Sequence, residues 1–322
     1  MSKNVLVTIP ISDELKRFLE SHAPGCSFTY TTRLEVTSEQ MQSANIIFGD
    51  APPQLLKDCK KLEWLQLESS GVGAYIAPGV LPEGVKLTNC TGAYGIGIAE
   101  YMLGAVLSLY RKLYLYRDNQ NNAVWRDERD EVKNIYGTTV LVVGLGDIGG
   151  TFAQRMKAMG AHTIGIRRQN MERPDYLDEL YTMDRLDELL PRADIVAMSL
   201  PSTPLTTGLI NKERLLLMKK DAVIVNVGRG NAIDTEALCD VMESGHLWGA
   251  ALDVTEPEPL PKEHRLWRIQ NAIVTPHISG SHTLPEVIRS IVGIAARNLD
   301  AYLNGRELEN YVDFVAGYRK KV

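Results

Sequence analysis

Four short segments carry side chains whose types and spacing could do chemistry. Gly144-Leu145-Gly146-Asp147-Ile148-Gly149 has G-x-G-x-x-G spacing. It follows the unbroken apolar and β-branched run Thr139–Val143 and precedes an amphipathic stretch, the strand–turn–helix context that a dinucleotide-binding turn requires. Gly144 would permit the tight turn, Gly146 would leave room for a pyrophosphate, and Gly149 would let helix and strand pack closely. The exposed N–H groups and positive dipole end of the helix would then face the phosphates, with Asp147 and Ile148 among the cofactor-binding residues. The other segments are Val225-Asn226-Val227-Gly228-Arg229-Gly230, Ala251-Leu252-Asp253-Val254-Thr255-Glu256-Pro257-Glu258-Pro259 and Thr275-Pro276-His277-Ile278-Ser279-Gly280. Each closes a buried strand, so they should meet at the sheet edge where open α/β sheets hold ligands. Arg, Glu and His together suit reduction of a 2-keto acid. The arginine holds carboxylate and carbonyl, a protonated histidine gives its proton to the forming alkoxide, and the carboxylate stabilises the imidazolium. Taken singly, each has a plainer reading: Arg229 as a surface charge, Glu258 as a loop carboxylate, His277 as a cap. His282 and His264 are rivals to His277.

The strand after the glycine turn bears on the choice of cofactor. An NAD site usually ends that strand in Asp or Glu, which holds the ribose 2′-hydroxyl. Here it reads Ile164-Gly165-Ile166-Arg167-Arg168. A carboxylate would repel a 2′-phosphate and guanidinium groups would bind it. The sequence therefore predicts NADP(H) over NAD(H), with Arg167 and Arg168 as the 2′-phosphate ligands.

These segments need an α/β scaffold, and the chain supplies two. In the first stretch, strands at Val5–Ile9, Asn45–Phe48, Leu62–Leu67 and Lys86–Thr88 alternate with helices at Asp13–Glu20, capped by Ser12, and after Pro52-Pro53. A long helix is expected over Glu100–Tyr116, with Met102, Leu103, Val106, Leu107, Tyr110 and Leu113 on its apolar face. From Thr139 on, six apolar runs without alternation read as strands buried on both faces. They are Thr139–Val143, Thr163–Ile166, Ile195–Leu200, Ala222–Val227, Gly249–Asp253 and Ile273–Thr275, with helices such as Thr151–Met159 and Thr235–Ser244 between them. The pattern is a doubly wound parallel sheet. A last helix is expected at about Glu286–Leu303.

The 322 residues suggest two domains. A net charge of −5 gives no footprint for nucleic acid or an anionic membrane. Cys26, Cys59, Cys90 and Cys239 form no C-x-x-C pair, and no metal site is expected. The N-terminus lacks the apolar core of a signal peptide, and the longest mostly apolar stretch is about half of what a bilayer needs. A soluble, cytoplasmic protein is expected.

The glycine fingerprint and the VNVGRG, DVTEPEP and TPH segments, in this order and spacing, resemble the D-isomer-specific 2-hydroxyacid dehydrogenase family. The flanking LLLMKKDAVIVNV and LWRIQNAIVTPHISG stretches resemble it too. The likeness runs from about Leu62 to Asn298. It implies that Arg229 binds substrate, His277 is the acid/base and Glu258 is its partner. It further implies that Leu200, Pro201, Val227 and Gly228 line the cofactor and that Asp253 touches the nicotinamide amide. Glu68-Ser69-Ser70-Gly71-Val72-Gly73 is similar to a loop whose N–H groups, at Ser70, Gly71 and Val72, bind the substrate carboxylate. The implied fold is two Rossmann-like or flavodoxin-like domains. A cofactor domain (100–286) is inserted into a substrate domain made of 1–99 and 287–322, with the active site in the cleft between them. A homodimer through the long helix and Trp125 is implied as well. From the length after Asn298, no regulatory domain of the kind that some larger members append is expected. Arg167, Arg265 and Gly73 depart from the family's usual acid, proline and aspartate, and Tyr75 and Tyr94 are possible pocket residues. The activity expected is reduction of a short 2-keto acid, glyoxylate or hydroxypyruvate first, to a D-2-hydroxy acid. A corepressor-like dinucleotide sensor and a formate- or phosphite-type dehydrogenase are the alternatives.

Overall fold

The computed structural model describes residues 2–127, 132–169, 172–314 and 318–319. The chain forms two compact units, one of Met1–Tyr94 with His282–Val322 and one of Gly95–Ser281. The first begins β1 (Asn4–Val7), α1 (Asp13–Ser21), β2 (Ser27–Tyr30), α2 (Ser38–Ser43), β3 (Ile46–Phe48), α3 (Pro53–Leu56), β4 (Trp64–Gln66) and β5 (Lys86–Thr88). Ser12 caps α1 by accepting from the Leu15 N–H, and Thr37 with Gln40 forms a capping box on α2. The five strands pair in parallel in the order β2-β1-β3-β4-β5, the flavodoxin-like arrangement. The edge strand β2 and helix α2 were not expected from the sequence. β2 is short and half exposed, so it lacks the apolar run that marks the inner strands.

The second unit comprises α4 (Gly95–Tyr110), α5 (Leu113–Asn121), β6 (Thr139–Val143), α6 (Asp147–Ala158), β7 (His162–Arg167), β8 (Glu179–Thr182), α7 (Leu186–Leu189), β9 (Ile195–Met198), α8 (Lys212–Leu217), β10 (Val223–Asn226), α9 (Thr235–Glu243), β11 (Gly249–Leu252) and β12 (Ala272–Val274). Its seven strands are all parallel, in the order β12-β11-β10-β9-β6-β7-β8. This is the doubly wound Rossmann order, with the direction of winding reversing between β6 and β9. Six strands were expected. The seventh, β8, is an edge strand of half-buried residues.

The expected long helix is two. Lys112 takes a left-handed conformation (φ 53°) between α4 and α5. The Leu109 carbonyl, in the last turn of α4, accepts the Trp248 indole N–H at 3.0 Å. The buried face of α4 is set by Ile98, Ala99, Met102, Ala105, Val106, Leu109 and Tyr110, whereas Leu113, expected on that face, is exposed. Trp125 is fully exposed.

The chain returns to the first unit through α10 (Pro285–Leu303), followed by β13 (Val312–Asp313) and β14 (Tyr318–Arg319). No helix among the described residues is long and apolar enough to cross a membrane.

Candidate active site

The turn after β6 has the geometry that a dinucleotide phosphate needs. Gly144 sits at φ 102°, and a Cβ there would lie 2.9 Å from a Leu200 methyl. A Cβ on Gly149 would lie 1.9 Å from the Gly144 carbonyl oxygen, so α6 meets this turn only because residue 149 is glycine. At Gly146 a Cβ would meet nothing within 4 Å, which leaves that face open. Gly146 is the N-cap of α6 and no side chain caps the helix, so its first N–H groups are available to an anion. Asp147 turns its carboxylate toward the start of α4, accepting the Gly95 N–H at 2.7 Å. Asp147 and Ile148 are the first two residues of α6, so their N–H groups lie at its uncapped end.

Across the switch point, Leu200 is nearly buried and Pro201 exposed at the end of β9, and Val227 is buried after β10. Arg167 is half-buried at the end of β7 and Arg168 exposed next to it. The Arg167 side chain has no hydrogen-bond or ion-pair partner among the described residues. An open helix N-terminus beside an unpaired guanidinium fits a dinucleotide carrying phosphate.

The three loops beyond β10, β11 and β12 converge. A Cβ on Gly228 would lie 2.5 Å from the Leu200 carbonyl oxygen, and one on Gly230 would lie 2.0 Å from that of Thr255. The two glycines flanking Arg229 thus let its loop touch both neighbours. Asn226, 1% exposed, shapes this loop: its Oδ1 accepts the Gly228 N–H at 3.0 Å and its Nδ2 donates to the Arg229 carbonyl at 2.9 Å. The Arg229 guanidinium donates to the Gly228 carbonyl at 2.7 Å. Burial pulls its pKa below the ordinary arginine value, and the Glu258 charge opposes that pull.

His277 Nδ1 lies 2.7 Å from Glu258 Oε1, with both side chains a little under half exposed. A carboxylate only accepts, so Nδ1 carries the proton of this bond and Nε2 is the nitrogen left for chemistry. His277 itself is left-handed, at φ 55°. The rival histidines do other work. His264 Nδ1 accepts the Leu266 N–H at 3.1 Å and its Nε2 lies 3.1 Å from Glu236, making it a cap. His282 belongs to the first unit.

Asp253 follows β11. It is 1% exposed, and both carboxylate oxygens are engaged by the turn around His277. Oδ1 accepts Thr275 Oγ1 at 2.6 Å and the Ile278 N–H at 2.8 Å, while Oδ2 accepts the Ser279 N–H at 2.9 Å and the Ser279 hydroxyl. All four of these contacts come from the turn around His277.

In the first unit, Ser70, Gly71 and Val72 follow β4. None of their N–H groups donates a hydrogen bond among the described residues. The loop is held from outside those groups: Asn89 Nδ2 donates to the Ser70 carbonyl at 2.8 Å and Ser69 Oγ to that of Gly71 at 2.9 Å. Val72 is buried, anchoring the loop. Tyr75 and Tyr94 point into the unit, donating to the carbonyls of Ala51 and Glu68 at 3.0 and 2.7 Å.

A family model described as "D-isomer specific 2-hydroxyacid dehydrogenase, NAD binding domain" matches residues 103–279. The chain belongs to the D-isomer specific 2-hydroxyacid dehydrogenase family. It is thus an NAD(P)-dependent oxidoreductase of the class acting on CH–OH donors. One solved family structure, from Aeromonas salmonicida subsp. salmonicida A449, superposes with a TM-score of 0.87 at 31% identity, covering 98% of this chain and 100% of that one. The NADPH-dependent glyoxylate/hydroxypyruvate reductase of Sinorhizobium meliloti, solved with NADP and sulfate, superposes at 0.81 with 27% identity, covering 98% and 100%. Formate dehydrogenase 2, mitochondrial, of Oryza sativa subsp. japonica is 33% identical over 80% of this chain and 69% of its own length. Within this 2-hydroxyacid dehydrogenase, Asn226, Thr275 and Ser279 lie in the segments that stand out in the sequence but had no task assigned there, and Tyr101, bonded to Thr275, lies outside them. Asn226 alone left a signal, a polar residue ending an otherwise apolar strand.

Proposed function

We propose that this family member is an NADPH-preferring reductase of short 2-keto acids, glyoxylate and hydroxypyruvate foremost, yielding D-2-hydroxy acids. The observation that carries the reading is the His277–Glu258 pair at 2.7 Å, in the same unit as the partly buried Arg229. When bound, the reduced nicotinamide supplies a hydride to the keto carbon. Arg229 holds the substrate's carboxylate and carbonyl oxygen by its guanidinium fork. His277, doubly protonated, gives its Nε2 proton to the oxygen as negative charge builds there. Glu258 holds the ring through Nδ1 and stabilises the imidazolium. Ser70, Gly71 and Val72 present three unpaired N–H groups, a nest for a carboxylate.

The preference for NADPH rests on Arg167 and Arg168 and on the absence of an acid at the end of β7. The S. meliloti reductase, described as NADPH-dependent, supports it. Formate as substrate is disfavoured by the reaction's needs: its oxidation yields no alkoxide, so a His277–Glu258 acid pair would have nothing to protonate.

The test is oxidation of NADPH and NADH with a panel of 2-keto acids. We expect kcat/KM to favour NADPH, His277→Ala to lower kcat by about 100-fold or more, and Arg229→Ala to lower kcat/KM by a similar factor. A clear preference for NADH overturns the cofactor assignment. Tight dinucleotide binding without turnover of any 2-keto acid favours a sensor instead.

A further inference from the structure

We propose that Asp50 is a positioning residue for the Ser70–Val72 nest, and that the nest holds a substrate carboxylate firmly only while the neighbouring Glu68 carboxyl keeps its proton. The inference rests on the reading of that loop as the carboxylate site and adds the groups that shape and tune it.

Every carbonyl of the loop from Glu68 to Val72 has a donor within the first unit. The Glu68 carbonyl takes the Tyr94 hydroxyl at 2.7 Å, and the Ser69 carbonyl takes the Cys90 N–H at 3.0 Å. Asn89 Nδ2 donates to the Ser70 carbonyl at 2.8 Å, Ser69 Oγ to that of Gly71 at 2.9 Å, and the Tyr75 N–H to that of Val72 at 2.9 Å. The N–H groups of Glu68 and Ser69 donate to Asp50 Oδ1 at 3.1 and 3.3 Å. Among the described residues, those of Ser70, Gly71 and Val72 have no acceptor. Three consecutive unpaired N–H groups, in a loop whose other backbone groups are all paired, form a concavity shaped for an anion. Asp50, just beyond β3, fixes the root of that concavity.

Two carboxyl groups meet at this root, and they are not alike. Asp50 accepts two N–H groups, which favour its charged form. Glu68 Oε2 is buried and accepts nothing among the described residues. The titratable groups facing Glu68 are Asp50, Arg33, Tyr75, Tyr94 and Cys90. Tyr75 and Tyr94 donate to the carbonyls of Ala51 and Glu68, the Cys90 thiol lies 3.8 Å from the Ile291 carbonyl, and burial keeps all three neutral. Arg297 of α10 acts on Cys90. Arg33 is exposed, where water screens its charge. Burial, reinforced by the Asp50 charge, thus pushes the Glu68 carboxyl up to about 7 against the pull of Arg33. Above that pH a second negative charge appears two residues before the first free N–H of the nest. A bound carboxylate and an ionised Glu68 oppose each other, so affinity for the anion falls as pH rises through this value.

The test compares the wild type with Glu68→Gln, Asp50→Asn and Asp50→Ala, each as the intact protein with NADPH. The readouts are kcat and KM for glyoxylate, the dissociation constant of oxamate (an unreactive keto-acid analogue), and NMR shifts and hydrogen exchange of the amides of residues 68–72. Whatever His277 contributes to the pH profile is common to the wild type and Glu68→Gln, so the ratio of wild-type to variant KM isolates Glu68. We expect that ratio to rise by about 3- to 10-fold between about pH 6 and pH 8.5, the oxamate ratio to follow it, and the kcat ratio to stay flat. Asp50→Ala should speed amide exchange at Glu68 and Ser69 and raise KM by about tenfold at pH 6, with kcat changed by less than about threefold. Should it fail to fold, Asp50→Ser, whose shorter side chain draws back from both N–H groups, replaces it. Asp50→Asn keeps an acceptor but not the charge, so it should recover most of that KM and move the rise to lower pH. An unchanged KM in Asp50→Ala overturns the positioning role. A KM ratio that stays flat with pH overturns the proton dependence. Failure of oxamate to shift the Ser70, Gly71 and Val72 amides overturns the reading of the loop as the carboxylate site, whatever the variants do.

Discussion

Glu68 lies just beyond β4, beside Asp50 beyond β3. Asp50 Oδ1 accepts the N–H groups of Glu68 and Ser69 at 3.1 and 3.3 Å. Glu68 Oε2 is buried without a hydrogen-bond partner among the described residues. Burial, reinforced by the Asp50 charge and opposed by Arg33, pushes the Glu68 carboxyl from 4.5 up to about 7. Between these values the folded state keeps a proton that the unfolded state has released, so stability falls as pH rises through this window. The loss above pH 7 is on the order of 1–3 kcal/mol. Glu68→Gln should therefore raise the melting temperature at pH 8 and leave it nearly unchanged at pH 5. An equal shift at both pH values would assign the effect to something other than this proton. Composition and motif say nothing of this group, because its burial is a tertiary fact. Arg229, Glu258 and His277 stood out because their loops carry rare residue types at strand ends. Asp253 was visible as a residue, but its hydrogen bonds to the Ile278 and Ser279 N–H groups were not, since these depend on how the turn after β12 folds.

At the scale of the element, two glycines in one turn do different work and should fail differently. Gly149 is needed for α6 to pack against the turn, so Gly149→Ala must displace the helix and destabilise the unit by about 1–3 kcal/mol or more. Gly146 has a negative φ and open space where a Cβ would go. Gly146→Ala should keep the melting temperature of the cofactor-free protein and weaken NADPH binding by about tenfold or more, as read by fluorescence titration. Undiminished affinity in that variant would show that the phosphate does not approach this face. The spacing of these glycines was legible because each acts on neighbours close in sequence. The end of α4 was not. It is made by Trp248, whose indole bonds to Leu109 and whose ring lies under the ammonium groups of Lys112 and Lys133, at 5.4 and 4.4 Å. A helix read through to Tyr116 is what apolar spacing alone supports. The edge strands β2 and β8 escaped for a related reason, since a strand half in water need not be continuously apolar.

At the scale of the molecule, the first unit is closed by residues from both ends of the chain. Asn298, fully buried in α10, donates to Gln66 Oε1 at 2.8 Å and to the Glu309 carbonyl at 3.0 Å, and it accepts the Glu309 N–H at 2.6 Å. Gln66 also accepts from Thr88 at 2.7 Å, and Thr88 accepts the Trp64 indole N–H at 2.8 Å. Tyr302 stacks on Trp64 at 5.3 Å and donates to Glu63 at 2.6 Å. The sheet's far side, β4 and β5, is thus locked by a helix more than 200 residues downstream, with the second unit's strands intervening. Read along the sequence, Asn298 is only a polar interruption in an amphipathic helix. Its partners become apparent only when the sheet is assembled. Asn298→Ala would leave Gln66 and the Glu309 backbone short of partners in a dry site, at a cost of about 2–4 kcal/mol. The second unit has its own core, built on the strands from β6 onward and the helices that cover them. The damage should accordingly be local: amide exchange should accelerate in β4, β5 and α10 while β6 and β10 keep their protection. Equal acceleration in both units would mean that they unfold as one, and that the lock at Asn298 guards the whole chain rather than the first sheet.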